Sequence, residues 1–488
     1  MVDLLERAGP TRGVLAWVRR STAPPGPRRI QLRVWDWWSP STTEDYARYF
    51  AEIESIFEAR HPDVDVVFQA VPFGNYEQKL ATALLGDNPP DVFQCSVYWA
   101  EGFYNRGMLR QLNDLIATTP ELQDDQFVPA ALHHTRRGTH VFGVPHILDG
   151  SCLLWNLDML RTDPNLHGVF ERGPDGALDF RRIRFDAVRD WAHFRRIAKQ
   201  LTKYDPAAPG QPLLDDRGDV VQAGYAVNAY GMGAGPFMPW ASTNGVRFQD
   251  RAGTKALFDT PAAAQTLQFL IDLYWKDRVC PPFRRELVAY DQFQEGRVAC
   301  VLAGTWSGKY LVRNTQGWMG FGLTALPPGP NATGYKTMTW ANMMVISSGC
   351  REVETAWEFI RFLCGLEGSL LKLKRLEQNS PRRDVYRSEA WDAAVKERPY
   401  LQNVPRICTV GDPLQHTQIQ AVEDEVEPIF EYVLLNWPEI EVGRGRFGSV
   451  ADALHLAAER VNEVYDRYGH LVRRWDAQLG RRVVQEED

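Results

Sequence analysis

IQLRVWDWWSPSTTEDYARYFAEIESIFEARHPDVDVVFQAVPFGNYEQKLATALLGDNPPDVF, residues 30–93, is the stretch whose reading decides the fold class. Residues 30–35 alternate apolar and polar side chains, the two-residue period of a strand. Across 45–60 apolar residues recur at helical spacing and stop before Pro62, which cannot continue a helix. Residues 64–71 read as a second strand, 76–85 as a second helix closed by Gly86, and 89–93 as the opening of a third strand. Strands and helices alternating at such short intervals predict a βαβ-type sheet with helices on both faces.

The alternation continues outward from this stretch. Residues 1–29 end in PPGPRR and read as a disordered leader. A strand is expected over 140–147 and leads into 152–156; a helix over 186–202 carries Trp191, Phe194, Ile197 and Leu201 on one face. Residues 206–235 are rich in Gly and Pro and read as loops. Further helices are expected over 261–276, 289–295, 353–363, 413–435 and 449–465.

At 488 residues the chain has room for two or three domains, and 44% hydrophobic with 24% charged residues is ordinary globular composition. A net charge of −7 argues against a nucleic-acid binder, which would carry a basic excess. The seven cysteines are scattered without a CxxC pair, so neither a disulfide framework nor a zinc site is expected, and they read as small buried hydrophobes. HExxH, Walker and GxSxG motifs are absent, and neither metal nor cofactor is expected. The apolar run 13–18 is too short for a signal-peptide core or a membrane span, and no cysteine precedes Cys95 to carry a lipid. A mis-assigned start, an unusual leader and a cytoplasmic protein all stay open on the residues alone.

Eight short motifs then occur in a telling order. They are VWDWW (34–38), FEARHPDVDV (57–66), FGNYEQKLATALLGDNPPDVF (73–93), VFGVP (141–145), LLWNLDML (153–160), FQEGRVACVLAGTWSGKY (293–310), ETAWEFIRFL (354–363) and NSPRR (379–383). Their order resembles that of the family 1 extracellular solute-binding proteins, which include the maltose- and oligosaccharide-binding proteins of ABC importers. The resemblance implies a periplasmic binding protein-like α/β fold of type II, with two discontinuous lobes joined by a hinge and ligand held in the cleft between them. It places the crossings near 147–149, 340–342 and 379–383, so that one lobe is 30–147 with 341–382 and the other 148–340 with 383–488. It further implies an extracytoplasmic monomer that hands a carbohydrate, an oligosaccharide by preference, to membrane permease subunits and catalyses nothing. A polyamine, peptide or phosphate ester in the same fold is the alternative. A glycosidase is disfavoured because no carboxylate pair flanking a scissile bond is visible.

Sugar recognition needs flat aromatics for the C–H faces of pyranoses and polar groups for their hydroxyls. In open α/β sheets such residues follow strand ends. The candidates are Trp38 and Ser39 after the first strand, Ser96, Tyr98 and Trp99 after the third, Trp240 and Asn244 in FMPWASTNG, Trp306 in GTWSG, and Trp340 with Asn342 in TMTWAN. Trp37 and Trp38 cannot share a face if both are in a strand, and Trp38 beside Ser39 is the preferred platform. Asp149, as a clamp for two adjacent hydroxyls, Arg383 in NSPRR, and Gln415 with the weaker His416 complete the set. Trp306 is the leading candidate, with Ser307 and Gly308 expected to leave its indole uncovered.

Overall fold

The computed structural model describes residues 29–37, 44–86, 88–227, 237–250, 254–282, 289–413 and 419–478. The opening alternation is realised as β1 (Ile30–Asp36), α1 (Glu44–Arg60), β2 (Val64–Ala70), α2 (Phe73–Leu85), β3 (Val92–Cys95) and α3 (Val97–Asn105). β1 pairs in parallel with both β2 and β3. Leu32 and Val34 of β1 pack with Tyr49, Phe50, Ile53 and Phe57 of α1, the helix face that the spacing predicted. α2 starts one turn before the expected Tyr76, because Pro72 (φ −55°) precedes a first turn that needs no N–H from it.

The strand expected at 140–147 is β4, Val144–Asn156, thirteen residues long and buried throughout. α4 (Trp191–Leu201) is shorter than the expected 186–202, since the Asp190 side chain accepts from the His193 N–H at 2.6 Å and caps it there. α5 (Pro261–Ile271) hands over to a π-wound turn at Asp272–Lys276. Then follow β5 (Cys300–Gly304), α6 (Ser307–Thr315), β6 (Phe321–Thr324), β7 (Thr337–Ile346), α7 (Val353–Cys364) and α8 (Leu366–Leu376). β8 (Gly411–Pro413) lies parallel to β7, so the expected helix does not begin at 413; α9 is described over Ile419–Leu435. α10 (Val450–Gln478) continues past the expected end at Tyr465.

The sheet order is β6-β4-β7-β3-β1-β2, with β5 also on β4 and β8 on β7. β4 is the common member. Its first half, through Gly150, pairs antiparallel with β7, and from Ser151 it pairs with β5 and then β6. Apolar side chains form four clusters. Two draw on residues between Leu32 and Val144 and between Met343 and Leu376. The other two draw mainly on residues from Leu148 to Ala341 and from Val385 onward. Val97, Val128, Ala130, Ala131 and Leu373 reach over from the first region into the second pair of clusters, which seals the seam.

All seven cysteines are free, six of them buried and Cys350 half-buried. Among the described residues no helix is long and apolar enough to cross a membrane.

Gly224 marks the tightest backbone approach in this architecture: a Cβ there would stand 1.9 Å from the Ala198 carbonyl oxygen of α4. Backbone cannot rotate aside as a side chain can, so α4 would have to move. Gly224→Ala is expected to lower stability by about 1–3 kcal/mol, the usual cost of overpacking, read as a shift of the urea midpoint with an unchanged slope.

Candidate ligand-binding cleft

The three expected crossings lie side by side. Ile147, Leu148 and Asp149 of β4 face Asn342, Ala341 and Trp340 of β7, with a bulge after Asn342. The Leu148 N–H donates to the Asn379 carbonyl at 3.5 Å. Asp149 accepts from Thr305 Oγ1 at 2.9 Å and from Asn379 Nδ2 at 2.6 Å. Asn379 Nδ2 also donates to Thr305 Oγ1 at 2.9 Å, which in turn accepts from the Gly150 N–H at 3.1 Å. One buried carboxylate thereby joins β4, the end of β5 and the segment after α8. Burial pushes the Asp149 carboxyl up to about 6, against the pull of the Asn379 and Thr305 hydrogen bonds. Asp149, expected as a sugar clamp, is only 5% exposed and accepts both of these hydrogen bonds on Oδ1, which ties one side of its carboxyl into the expected crossings.

Just past this knot stands Trp306, 40% exposed, at the start of α6. Its indole lies back over Gly304, where a Cβ would meet Nε1 at 2.2 Å, so only glycine admits the ring there. Tyr290 and Tyr310 flank it, with ring centroids 6.4 and 5.6 Å away. Gly308 has a different task from the expected one: the Tyr400 ring presses on it, 2.2 Å from where its Cβ would be.

A second aromatic group lies after β2 and β3. Trp37, Tyr76 and Trp99 are buried together, with Trp37 edge-on to Tyr76 at 5.3 Å and Tyr76 stacked on Trp99 at 5.8 Å. Phe73 caps this group, 5.5 Å from Trp37 and 5.4 Å from Trp99, and is itself 40% exposed. Phe73 is the residue that the sequence reading missed. Its signal was present, since it opens the helix that follows β2, three residues after the strand end.

The other candidates divide. Trp340 and Asn342 are half-buried beside the crossings. Tyr98 is half-buried and packs against clusters on both sides of the seam; burial, with Glu423 and Glu427 nearby, pushes its hydroxyl well above the usual range. Ser96 is buried and caps α3, accepting from the Tyr98 N–H at 3.4 Å. Trp99 is 7% exposed and lies against Phe73.

Trp240 and Asn244 are corrections. Trp240 is fully buried among Trp191, Phe194 and Phe269, and its Nε1 donates to the Tyr225 hydroxyl at 3.0 Å. Asn244 is fully buried too, donating to the Ala262 carbonyl at 2.9 Å and accepting from the Asn331 N–H at 3.0 Å. Arg383 is exposed and donates to the Phe127 carbonyl at 2.8 Å, outside the knot of crossings. Its neighbour Arg382 is the buried one, paired with Asp384 at 2.6 Å. Trp38, Ser39, Gln415 and His416 lie outside the described residues.

Two α/β regions pinned together by adjacent crossings, with half-exposed aromatics next to the pins, define a hinged binding protein. The chain belongs to the bacterial extracellular solute-binding protein family, whose model matches residues 39–368. A putative binding protein of Brucella abortus is 21% identical over 319 residues, covering 64% of this chain and 68% of that protein. The fold is similar to that of the sugar-binding protein MalE from Xanthomonas citri, with a TM-score of 0.69 and 18% identity over 94% of this chain and all of that one. It is equally similar to the cyclic α-maltosyl-1,6-maltose binding protein of Arthrobacter globiformis, at 0.69 and 17% over 90% and 100%. The GacH receptor of Streptomyces glaucescens, solved unliganded and with acarbose, gives 0.62 and 18% over 91% and 99%. These matches establish the two-lobed, type II binding-protein fold that the sequence implied.

A carboxyl whose folded pKa is raised stabilises the fold below its unfolded value, and that contribution is lost as pH climbs through the folded one. With Asp149 moved from 3.8 to about 6, the wild type should lose about 2 kcal/mol relative to Asp149→Asn between pH 4 and pH 7. Urea unfolding of both proteins across that range tests it; parallel pH profiles would refute the buried-carboxylate account.

Proposed function

We propose that this protein captures a neutral saccharide outside the cytoplasm and delivers it, as a monomer, to the membrane subunits of an ABC importer. The observation that carries the reading is Trp306: a rigidly propped, half-exposed indole beside the crossings, flanked by two tyrosines. A pyranose stacks its C–H face on such a surface. Phe73, backed by three buried aromatics, offers a second surface in the other region of the molecule. The names of similar folds point the same way, to sugar, maltosyl-maltose and acarbose.

Residues 30–147 with 341–382 make one lobe in this reading, and 148–340 with 383–488 the other. The division agrees with the apolar clusters and with the meeting of the three crossings at Asp149, Trp340 and Asn379. Capture without turnover is the expected behaviour, because the Asp149 carboxyl is engaged by Thr305 and Asn379 within the hinge.

A thermal-shift screen of mono- and oligosaccharides identifies the ligand, since native-state binding adds about 2.7 kcal/mol of stability at a hundredfold excess over Kd. With the hit in hand, Trp306→Ala should weaken binding at least about tenfold and leave the melting temperature of the unliganded protein nearly unchanged. Phe73→Ala should also lower affinity. Unaltered affinity in calorimetry with a collapsed melting temperature would make Trp306 a packing residue and sink the site assignment.

A further inference from the structure

Lys309 and Tyr310 stand directly after the Trp306 platform on α6, yet their polar partners lie on α1 and α8. The Tyr310 ring meets Trp306 edge-on at 5.6 Å, while its hydroxyl is hydrogen-bonded with that of Tyr46 of α1. Tyr46 is 2% exposed and also accepts from Gln378 Nε2 at 3.4 Å, one residue before Asn379. Lys309 Nζ donates to the Arg375 carbonyl near the end of α8 at 3.2 Å and pairs with Asp45 at 3.6 Å. The same ammonium sits 5.3 Å from the centre of the Tyr46 ring. Its side chain is only 17% exposed, which limits screening of these contacts by solvent.

We infer that Lys309 and Tyr310 form a latch that couples the Trp306 platform to closure of the lobes. The inference rests on the lobe division and platform proposed above. Asp45, Tyr46 and Arg375 all belong to the first lobe, whereas Trp306, Lys309 and Tyr310 belong to the second. Their mutual contacts therefore exist only when the lobes are together. A ligand that fixes the Trp306 ring also fixes the edge of Tyr310, whose hydroxyl then meets Tyr46. Ligand and latch favour the same state, so each strengthens the other by the free energy they share. Tyr310 acts here as a positioning residue and not as a ligand contact.

The test uses the full chain without ligand, so a failure of saccharide binding would leave its result intact. Small-angle scattering is recorded for the wild type, Tyr310→Phe, Lys309→Met and the control Val312→Ala, which trims a residue 39% exposed on the same helix. Tyr310→Phe keeps the ring against Trp306 and removes only the hydroxyl. Both latch variants should enlarge the radius of gyration, each moving the open-to-closed ratio by roughly fivefold, as loss of about one net hydrogen bond would. Their melting temperatures and the scattering of Val312→Ala should stay at wild-type values. Unchanged radii in both latch variants would overturn the inference. So would equal expansion in Val312→Ala, which would show that any disturbance of α6 loosens the lobes.

Discussion

The carboxyl of Asp149 is the point from which the geometry of this molecule is set. A carboxyl group removed from water costs several kcal/mol unless its oxygens are hydrogen-bonded. Here the donors come from Thr305 and Asn379, 156 and 230 residues away along the chain. Both bonds fall on Oδ1, so pairing one oxygen of this buried group already requires three distant segments to arrive at one place. Thr305 tightens the arrangement, since its hydroxyl accepts from Asn379 and from the Gly150 N–H while donating to Asp149. A hinge works by concentrating dihedral change in a few residues while the bodies on each side stay rigid. Under the proposed lobe division the buried knot would be the fixed pivot of such a motion.

The aromatic surfaces are built to the same logic of restraint. Phe73 rests on Trp37 and Trp99, which are held in turn by Tyr76, whose hydroxyl donates to the Gln94 carbonyl at 2.9 Å. Trp306 is held by the gap over Gly304 and by two tyrosine rings. Neither ring has much freedom left, and under the proposed function preorganisation of that kind would raise affinity without adding a contact.

What the sequence disclosed, and what it hid, follows from the range of the forces involved. The β1 to β3 alternation was legible because strand period, helix period and stop signals are local. The length of β4 was not: buried along all thirteen residues, it has no polar alternation to mark its course through the molecule. Trp240 was misplaced because Pro239 and the glycine after Asn244 look like loop punctuation. Pro239 instead sits in the first turns of a short helix, Phe237–Ser242, and the partners that bury Trp240 come from residues 191, 194, 225 and 269. Arg382 and Arg383 are chemically identical neighbours, and only the tertiary fold decides that the first is buried against Asp384 and the second exposed. Asp149 was found by its position after a strand, but whether it faces ligand or hinge depends on Thr305 and Asn379, which no local pattern connects to it.

The seven unpaired thiols have a consequence for redox chemistry. Thiol oxidation and exchange proceed through the thiolate and require access. Burial pushes the Cys280 and Cys364 thiols up to about 12, and even half-buried Cys350 is held at about 11 by burial and the nearby Asp91. Near neutral pH roughly one Cys350 side chain in ten thousand is then ionised. Such a protein can carry cysteines into an oxidising medium without forming disulfides, because six are enclosed and the seventh is chemically quiet. Its fold owes nothing to covalent cross-links, but that protection belongs to the folded state alone: denaturation frees all seven thiols, and refolding calls for a reductant to keep them unpaired.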